Sequence, residues 1–278
     1  MYASVMTNTI PVALTIAGSD CSAGAGIQAD LKTFQHFRIH GLTALTCIVS
    51  ETANIVRAVH PVPVSMMSDQ ILLLLESFPV TAIKTGMLFS AAHVTAVAEI
   101  LGSYPEIPVV VDPVMIASTG ASLLETDAMV AYRELLLPLA RVITPNLPEA
   151  EVLLGELIPD THALEAAARR LADQFSTAVL LKGGHLAGPE CIDLLMDRSE
   201  VYRFSAARIP MASSHGTGCT LSAAITAALA HGKSLPRAVE IAKNYLGETL
   251  RQSYQFQKPN GELIQVLNQG TAFSKNET

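Results

Sequence analysis

A chain of 278 residues, half of them hydrophobic, can bury a large core as one α/β domain, and a single domain is expected. Eighteen Lys and Arg against 25 Asp and Glu give a formal charge of −7 with no cluster of basic residues, which argues against a nucleic-acid partner. The longest apolar run, Ile71 to Leu75, is too short to cross a bilayer, and the opening MYASVMTNTI has neither a basic patch nor an apolar segment, so a soluble protein without membrane contact is expected. Four cysteines, Cys21, Cys47, Cys191 and Cys219, lie far apart with no C-x-x-C pair. That spacing suggests neither a zinc site nor a disulfide framework, and it fits a reducing cytoplasm.

Along the chain, short apolar runs alternate with amphipathic stretches. Pro11 to Ala17 reads as a strand ending in Gly18-Ser19-Asp20, and Gly24 to Phe37 as a helix whose Ile27, Leu31 and Phe34 share a face. The pattern recurs as strand Ala44 to Val49 and helix Ser65 to Phe78, strand Thr81 to Lys84 and helix Ala91 to Leu101, then strand Pro108 to Val111 and helix Thr126 to Leu137. Arg141 to Thr144 is a further strand, followed by helices from Leu147 and His162, and Ala178 to Lys182 continues the sheet. Ile192 to Met196 and Val201 to Phe204 flank Asp197-Arg198-Ser199-Glu200, the pattern of a hairpin at one sheet edge. The last helices span Thr217 to His231 and Leu235 to Ser253, and the residues after Gln255, like residues 1–10, are expected to form peripheral tails. Strands alternating with helices imply a parallel sheet.

In such sheets ligands bind beyond the carboxyl ends of the strands. The informative residues cluster there: Gly18-Ser19-Asp20, Glu51, Gly86-Met87, Asp112-Pro113-Val114-Met115, Asn146, Glu149 and Lys182-Gly183-Gly184. Asp112 is a candidate for Mg²⁺ or its water shell, because a hard cation takes carboxylate oxygens; a turn-starting Asp before proline is the alternative. Asn146 and Glu149 have the spacing of a helix capping box, and a cap would also fix a carboxylate for ordering a metal's waters. Lys182 suits either nucleotide phosphates or a solvated strand end. Met87 and Val114 read as pocket wall or core, and Cys21, Cys47 and Cys191 as packed thiols.

The stretch SSHGTGCTLSAAITAALAHG, Ser213 to Gly232, organises these pieces. A glycine loop runs into a helix, whose first turn leaves amides unpaired and carries partial positive charge, so an anion is stabilised there. Gly216 and Gly218 let the backbone approach a phosphate, Thr217 lies between them, and His215 orients the loop or serves structure alone. Cys219 falls in the first turn, where the local field is expected to lower its thiol pKa and fit it as base or hydrogen-bond partner.

Seven blocks in order, ALTIAGSD, GAGIQADLKTF, KTGML, VDPVM, ITPNLPEA, LKGGHL and HGTGCTLSAA, resemble the hydroxymethylpyrimidine and phosphomethylpyrimidine kinases of the ribokinase superfamily over most of Val12 to Leu250. The resemblance implies a ribokinase-like three-layer α/β/α sandwich, commonly a homodimer. The implied activity is an ATP- and Mg²⁺-dependent kinase of thiamine biosynthesis, phosphorylating 4-amino-5-hydroxymethyl-2-methylpyrimidine and then its monophosphate. It places the anion hole at Gly216, Thr217, Gly218 and Cys219, the last where sugar kinases of the superfamily keep an aspartate base. Gly18, Ala25, Val49, Glu51, Met87 and Val114 would line the pyrimidine site, Asp112, Asn146, Glu149 and Lys182 would serve nucleotide phosphates, and Asp112 and Glu149 would hold Mg²⁺ through water. Two departures stand out. Glu51 occupies a position where pyrimidine kinases place glutamine, which keeps pyridoxine or pyridoxal kinase as an alternative, and Ser118 replaces a frequent flap lysine. A nucleotide-binding protein without catalysis is disfavoured, because Asp112, Glu149 and Cys219 are all present.

Overall fold

The computed structural model describes residues 10–115, 126–160, 162–184, 186, 188–210 and 215–270. A nine-stranded sheet runs through it in the order β3-β2-β1-β4-β5-β6-β7-β8-β9, from strands β1 (Val12–Asp20), β2 (His40–Thr52), β3 (Ile55–Pro61), β4 (Val80–Thr85), β5 (Val109–Val111), β6 (Val142–Ile143), β7 (Ala178–Lys182), β8 (Glu190–Asp197) and β9 (Glu200–Ala207). The six strands β2, β1, β4, β5, β6 and β7 pair in parallel, and antiparallel pairs close both edges. The hairpin expected around residues 197–200 is the β8–β9 edge.

The side chains of the strands alternate between two cores, as a period of two requires. Val109, Val111, Ile143, Val179 and Leu181 face a layer made by α2 (Val64–Ser77), α3 (Ala91–Leu101), α4 (Thr126–Ala131), α5 (Leu147–Leu154) and α6 (Ala163–Phe175). Val110, Val142 and Leu180 face α7 (Thr217–Ala230) and α8 (Leu235–Arg251), and Ala13 and Ala82 face α7 together with α1 (Gly26–His36). The architecture is the expected three-layer α/β/α sandwich. Helix α7, lying against the sheet, buries ten of its residues and carries no charged side chain, so packing holds it and not amphipathic exposure.

Three expectations need correction. Strand β3 and its antiparallel pairing with β2 were not expected, because IVRAVHP is mostly exposed and lacks the apolar run that marked the central strands. The helix expected over 126–137 is α-helical only to Ala131; Tyr132–Leu136 widens to a π-helix and Leu137–Leu139 tightens to a 3₁₀ turn, since Pro138 cannot supply the amide a continuing α-helix needs. The segment after Gln255 is not a peripheral tail as far as Gly270: β10 (Tyr254–Gln257) pairs with β11 (Leu263–Val266), and Leu267 and Gln269 are buried beyond them. Among the described residues no helix is long and apolar enough to cross a membrane.

Candidate active site

The glycine loop meets α7 as the sequence suggests. Gly216 takes the left-handed conformation at the N-cap (φ 78°, ψ −4°) and offers no side-chain cap. The Thr220 amide and hydroxyl both donate to its carbonyl, at 2.9 and 2.8 Å. A Cβ on Gly216 would lie 2.0 Å from the Gly24 carbonyl oxygen, so glycine is required here for both conformation and space. One on Gly218 would lie 3.4 Å from both Asp112 Oδ2 and Lys182 Nζ. Residues 216–219 are half-buried, a backbone cradle over a charged floor.

The floor is a buried polar network. Lys182 Nζ sits 3.2 Å from Asp112 Oδ1, which also accepts from the Thr144 hydroxyl at 3.2 Å, while Asp112 Oδ2 accepts from the Ser222 hydroxyl at 3.1 Å. Burial opposes ionisation of Asp112, but Lys182 and Lys84 overcome it and hold the carboxyl below its ordinary range. Lys182 is thus an ion-pair partner at the strand end, not a solvated one. A second pair lies deeper: Lys84 Nζ is 2.9 Å from Asp30 Oδ2, with no exposed side-chain surface on either, and the Thr15 hydroxyl donates to the same oxygen at 2.6 Å. Against the pull of burial, Asp30 keeps Lys84 an ammonium.

Asn146 and Glu149 form the full capping box of α5: the Glu149 amide donates to Asn146 Oδ1 at 2.9 Å and the Asn146 amide to Glu149 Oε2 at 2.8 Å. Burial pushes the Glu149 carboxyl up to about 7, with Asp112 adding to the rise and Lys182 opposing it. Cys219 corrects an expectation. Burial pushes its thiol up to about 12, and although Lys84 opposes this, Asp30 and Asp112 add to it. The shift runs opposite to the lowered pKa expected at a helix start, because desolvation outweighs the Lys84 charge.

On the other side of the cradle, Asp20 organises the loop between β1 and α1. Its carboxylate accepts from the amides of Ser22 (2.7 Å), Gly24 (3.0 Å) and Ala25 (2.8 Å), from the Ser22 hydroxyl and from His215 Nε2 at 2.9 Å. Burial works against its ionisation, but these bonds prevail and hold Asp20 well below the usual carboxylate range. His215 therefore ties the start of the cradle to the β1 loop. Glu51, half-buried, brings a carboxylate oxygen within 4.8 Å of a ligand atom on Asp20 and on His215. Burial and then Asp20 push its carboxyl up, and His215 opposes them.

Cys21 is exposed, not packed as expected, because it lies past the end of β1; its thiol donates to the Glu51 carbonyl and accepts from the Glu51 amide. Gly18 is buried where a Cβ would lie 2.8 Å from Cys47 Sγ, and Met87 Sδ lies 4.0 Å from the same sulfur. Val49 is buried, Ala25 is the half-buried N-cap of α1, and Met87 and Val114 are half-buried, as a pocket wall would be. Ser118 lies outside the described residues. Sequence reasoning passed over Asp30, Lys84, Thr144 and Ser222. A lysine as the one charged residue in the strand VTAIKT was the available signal.

The glycine loop thus lies over a charged floor, and beside it Asp20 of β1, Glu51 of β2 and His215 of the cradle's own approach bring three titratable groups together. A model of the phosphomethylpyrimidine kinase family matches residues 20–263. The chain is 42% identical over 254 residues, 91% of its length, to the thiamine biosynthesis bifunctional protein ThiED of Geobacter sulfurreducens, of which it spans about half (52%). It is also 42% identical over 239 residues to the hydroxymethylpyrimidine/phosphomethylpyrimidine kinase of Bacillus subtilis, covering 86% of this chain and 88% of that one. The pyridoxal kinase of Staphylococcus aureus in complex with AMP-PCP and pyridoxal superposes with a TM-score of 0.83 at 34% identity, covering 94% of each chain. With that match running from the Asp20 loop through the cradle to the terminal hairpin, the chain belongs to the phosphomethylpyrimidine kinase family.

Proposed function

We propose that the protein is an ATP-dependent kinase that phosphorylates 4-amino-5-hydroxymethyl-2-methylpyrimidine and then its monophosphate, for thiamine diphosphate synthesis in the cytoplasm, its chain working as a single catalytic unit. The observation that carries this is the glycine cradle at 216–219 lying against the Asp112–Lys182 pair, so close that a Cβ added to Gly218 would meet both side chains at 3.4 Å. Phosphoryl transfer asks for in-line positioning and for neutralisation of charge on the equatorial oxygens, and backbone amides with a buried lysine serve both needs.

In this reading Gly216, Thr217, Gly218 and Cys219 hold the transferred group, and Cys219 keeps its proton and donates a hydrogen bond. Lys182 and Asn146 face the nucleotide phosphates. Asp112 and Glu149, two buried carboxylates, are the donor set a hard cation takes and would hold Mg²⁺ through its water shell. When bound, that ion supplies charge neutralisation at the phosphates. Gly18, Ala25, Val49, Glu51, Met87 and Val114 line the acceptor side. With its carboxyl pushed up, Glu51 can act as a neutral acid, donating through O–H and accepting through C=O as an amide would toward an aminopyrimidine. That donor is lost as pH rises through the Glu51 pKa.

A pyridoxal kinase is the second reading. It is supported by the likeness to the S. aureus enzyme over 94% of the chain and by a glutamate that, ionised, accepts from a phenolic hydroxyl. ATP turnover with each acceptor, with mono- and diphosphate products resolved, tests both. The pyrimidine is expected to give both products; turnover of pyridoxal with none of the pyrimidine would overturn the first reading. We also propose a homodimer formed at the β3 edge of the sheet, where Ile55 and Val56 are exposed.

A further inference from the structure

We propose that Gln269, beyond the terminal hairpin and outside the span the family model matches, is a positioning residue that sets the gap between the acceptor loop and the phosphate cradle. The chain that carries it is anchored on α8. The Asn268 amide donates to the Thr249 carbonyl, the Tyr245 hydroxyl donates to the Gln269 carbonyl at 2.9 Å, and Leu267 is buried beside them.

From this anchor a side chain only 1% exposed reaches back into the site. Gln269 Nε2 donates to the Gly24 carbonyl at 3.1 Å and to the Thr220 hydroxyl oxygen at 3.0 Å. The chemistry of these partners orients the amide. A carbonyl only accepts, and the Thr220 hydroxyl has given its own hydrogen to the Gly216 carbonyl at 2.8 Å, so both partners present lone pairs and the group facing them must be NH₂.

Gly24 is the residue against which the cradle is built, since its carbonyl occupies the place a Gly216 side chain would take. The residue is held on both sides, its amide donating to Asp20 Oδ2 at 3.0 Å and its carbonyl accepting from Gln269. Asp20 also holds His215, so bridges at His215 and at Thr220 tie the two loops together. A spacing fixed in this way governs in-line approach, where displacements of about 1 Å cost up to roughly 100-fold in rate.

The inference rests on the reading that residues 216–219 hold the transferred group, so Gly218→Ala serves as a control. Full-length Gln269→Met, which keeps length and apolar volume but donates nothing, and Gln269→Glu, which turns an oxygen toward two acceptors, would be compared with wild type. The readouts are Tm, kcat, and KM for nucleotide and acceptor. The expected result for Gln269→Met is a kcat at least about 10-fold lower that saturating acceptor does not restore, with nucleotide KM within about twofold. Gln269→Glu is expected to lose more. A folded Gln269→Met with wild-type kcat overturns the inference, and so does failure of both variants to fold, which would make the contact purely structural. If Gly218→Ala loses at least about 100-fold while Gln269→Met is unimpaired, only the inference falls; if Gly218→Ala is fully active, the reading of the cradle falls with it.

Discussion

Two side chains decide how the site handles protons. Burial pushes the Cys219 thiol up against the opposing Lys84 charge, which favours the neutral thiol, so a phosphorylated acceptor would meet no fixed negative charge on that side chain. Cys219→Asp is therefore expected to slow the second phosphorylation at least about 10-fold more than the first; equal losses in separate assays with alcohol and monophosphate would refute this. Glu149 works in the opposite sense. Its carboxyl, raised to about 7, keeps a proton in the folded chain that the unfolded chain has already released, so stability falls as pH rises from the ordinary carboxylate range to about 7. Glu149→Gln retains an acceptor for the Asn146 amide and removes the charge. Thermal denaturation without ligand is expected to show the variant a few degrees more stable near pH 8 and no more stable near pH 4, while its turnover drops. The Asp112 carboxylate and the Asn146–Glu149 cap were legible in the sequence, because short-range spacing determines them. The Cys219 pKa was not, because it depends on burial by the folded chain and then on Lys84, Asp30 and Asp112, brought in from remote strands and helices.

Elements follow a similar division. Helix Ala91–Leu101 and strand Ala178–Lys182 begin and end where periodicity places them, since the helix has a continuous apolar stripe and the strand is buried on both faces. Strand β3 and the β10–β11 hairpin escaped notice because their residues are largely exposed and partner pairing, not burial, defines them. The start of α7 was legible from its glycines, but what they accommodate was not: the Gly24 carbonyl comes from an element almost two hundred residues away. Gly216→Ala combines a left-handed backbone worth about 1–2 kcal/mol with a Cβ 2.0 Å from that carbonyl. It is expected to lower Tm by several degrees and kcat at least about 100-fold, checked by calorimetry and steady-state kinetics on the folded fraction.

For the molecule as a whole, the alternation of strands and helices was enough to infer a parallel sheet and the turn at 197–200 marked the hairpin at one edge, whereas β3 at the other edge emerges only from its pairing. The β3 edge ends the sheet with exposed Ile55 and Val56. If two copies meet there, Val56→Lys is expected to shift the protein from dimer to monomer in sedimentation with little change in Tm; a wild-type monomer at micromolar concentration would exclude the interface. The glycines of the cleft carry a lesson for redesign. Gly216 abuts the Gly24 carbonyl and Gly26 abuts the Gly18 carbonyl, with room for a Cβ at neither contact (2.0 and 2.4 Å), so this side of the cavity is interlocked and tolerates no reshaping. Substitutions meant to admit a bulkier acceptor are therefore expected to be better tolerated at the half-buried side chains of Met87 and Val114 than at these glycines.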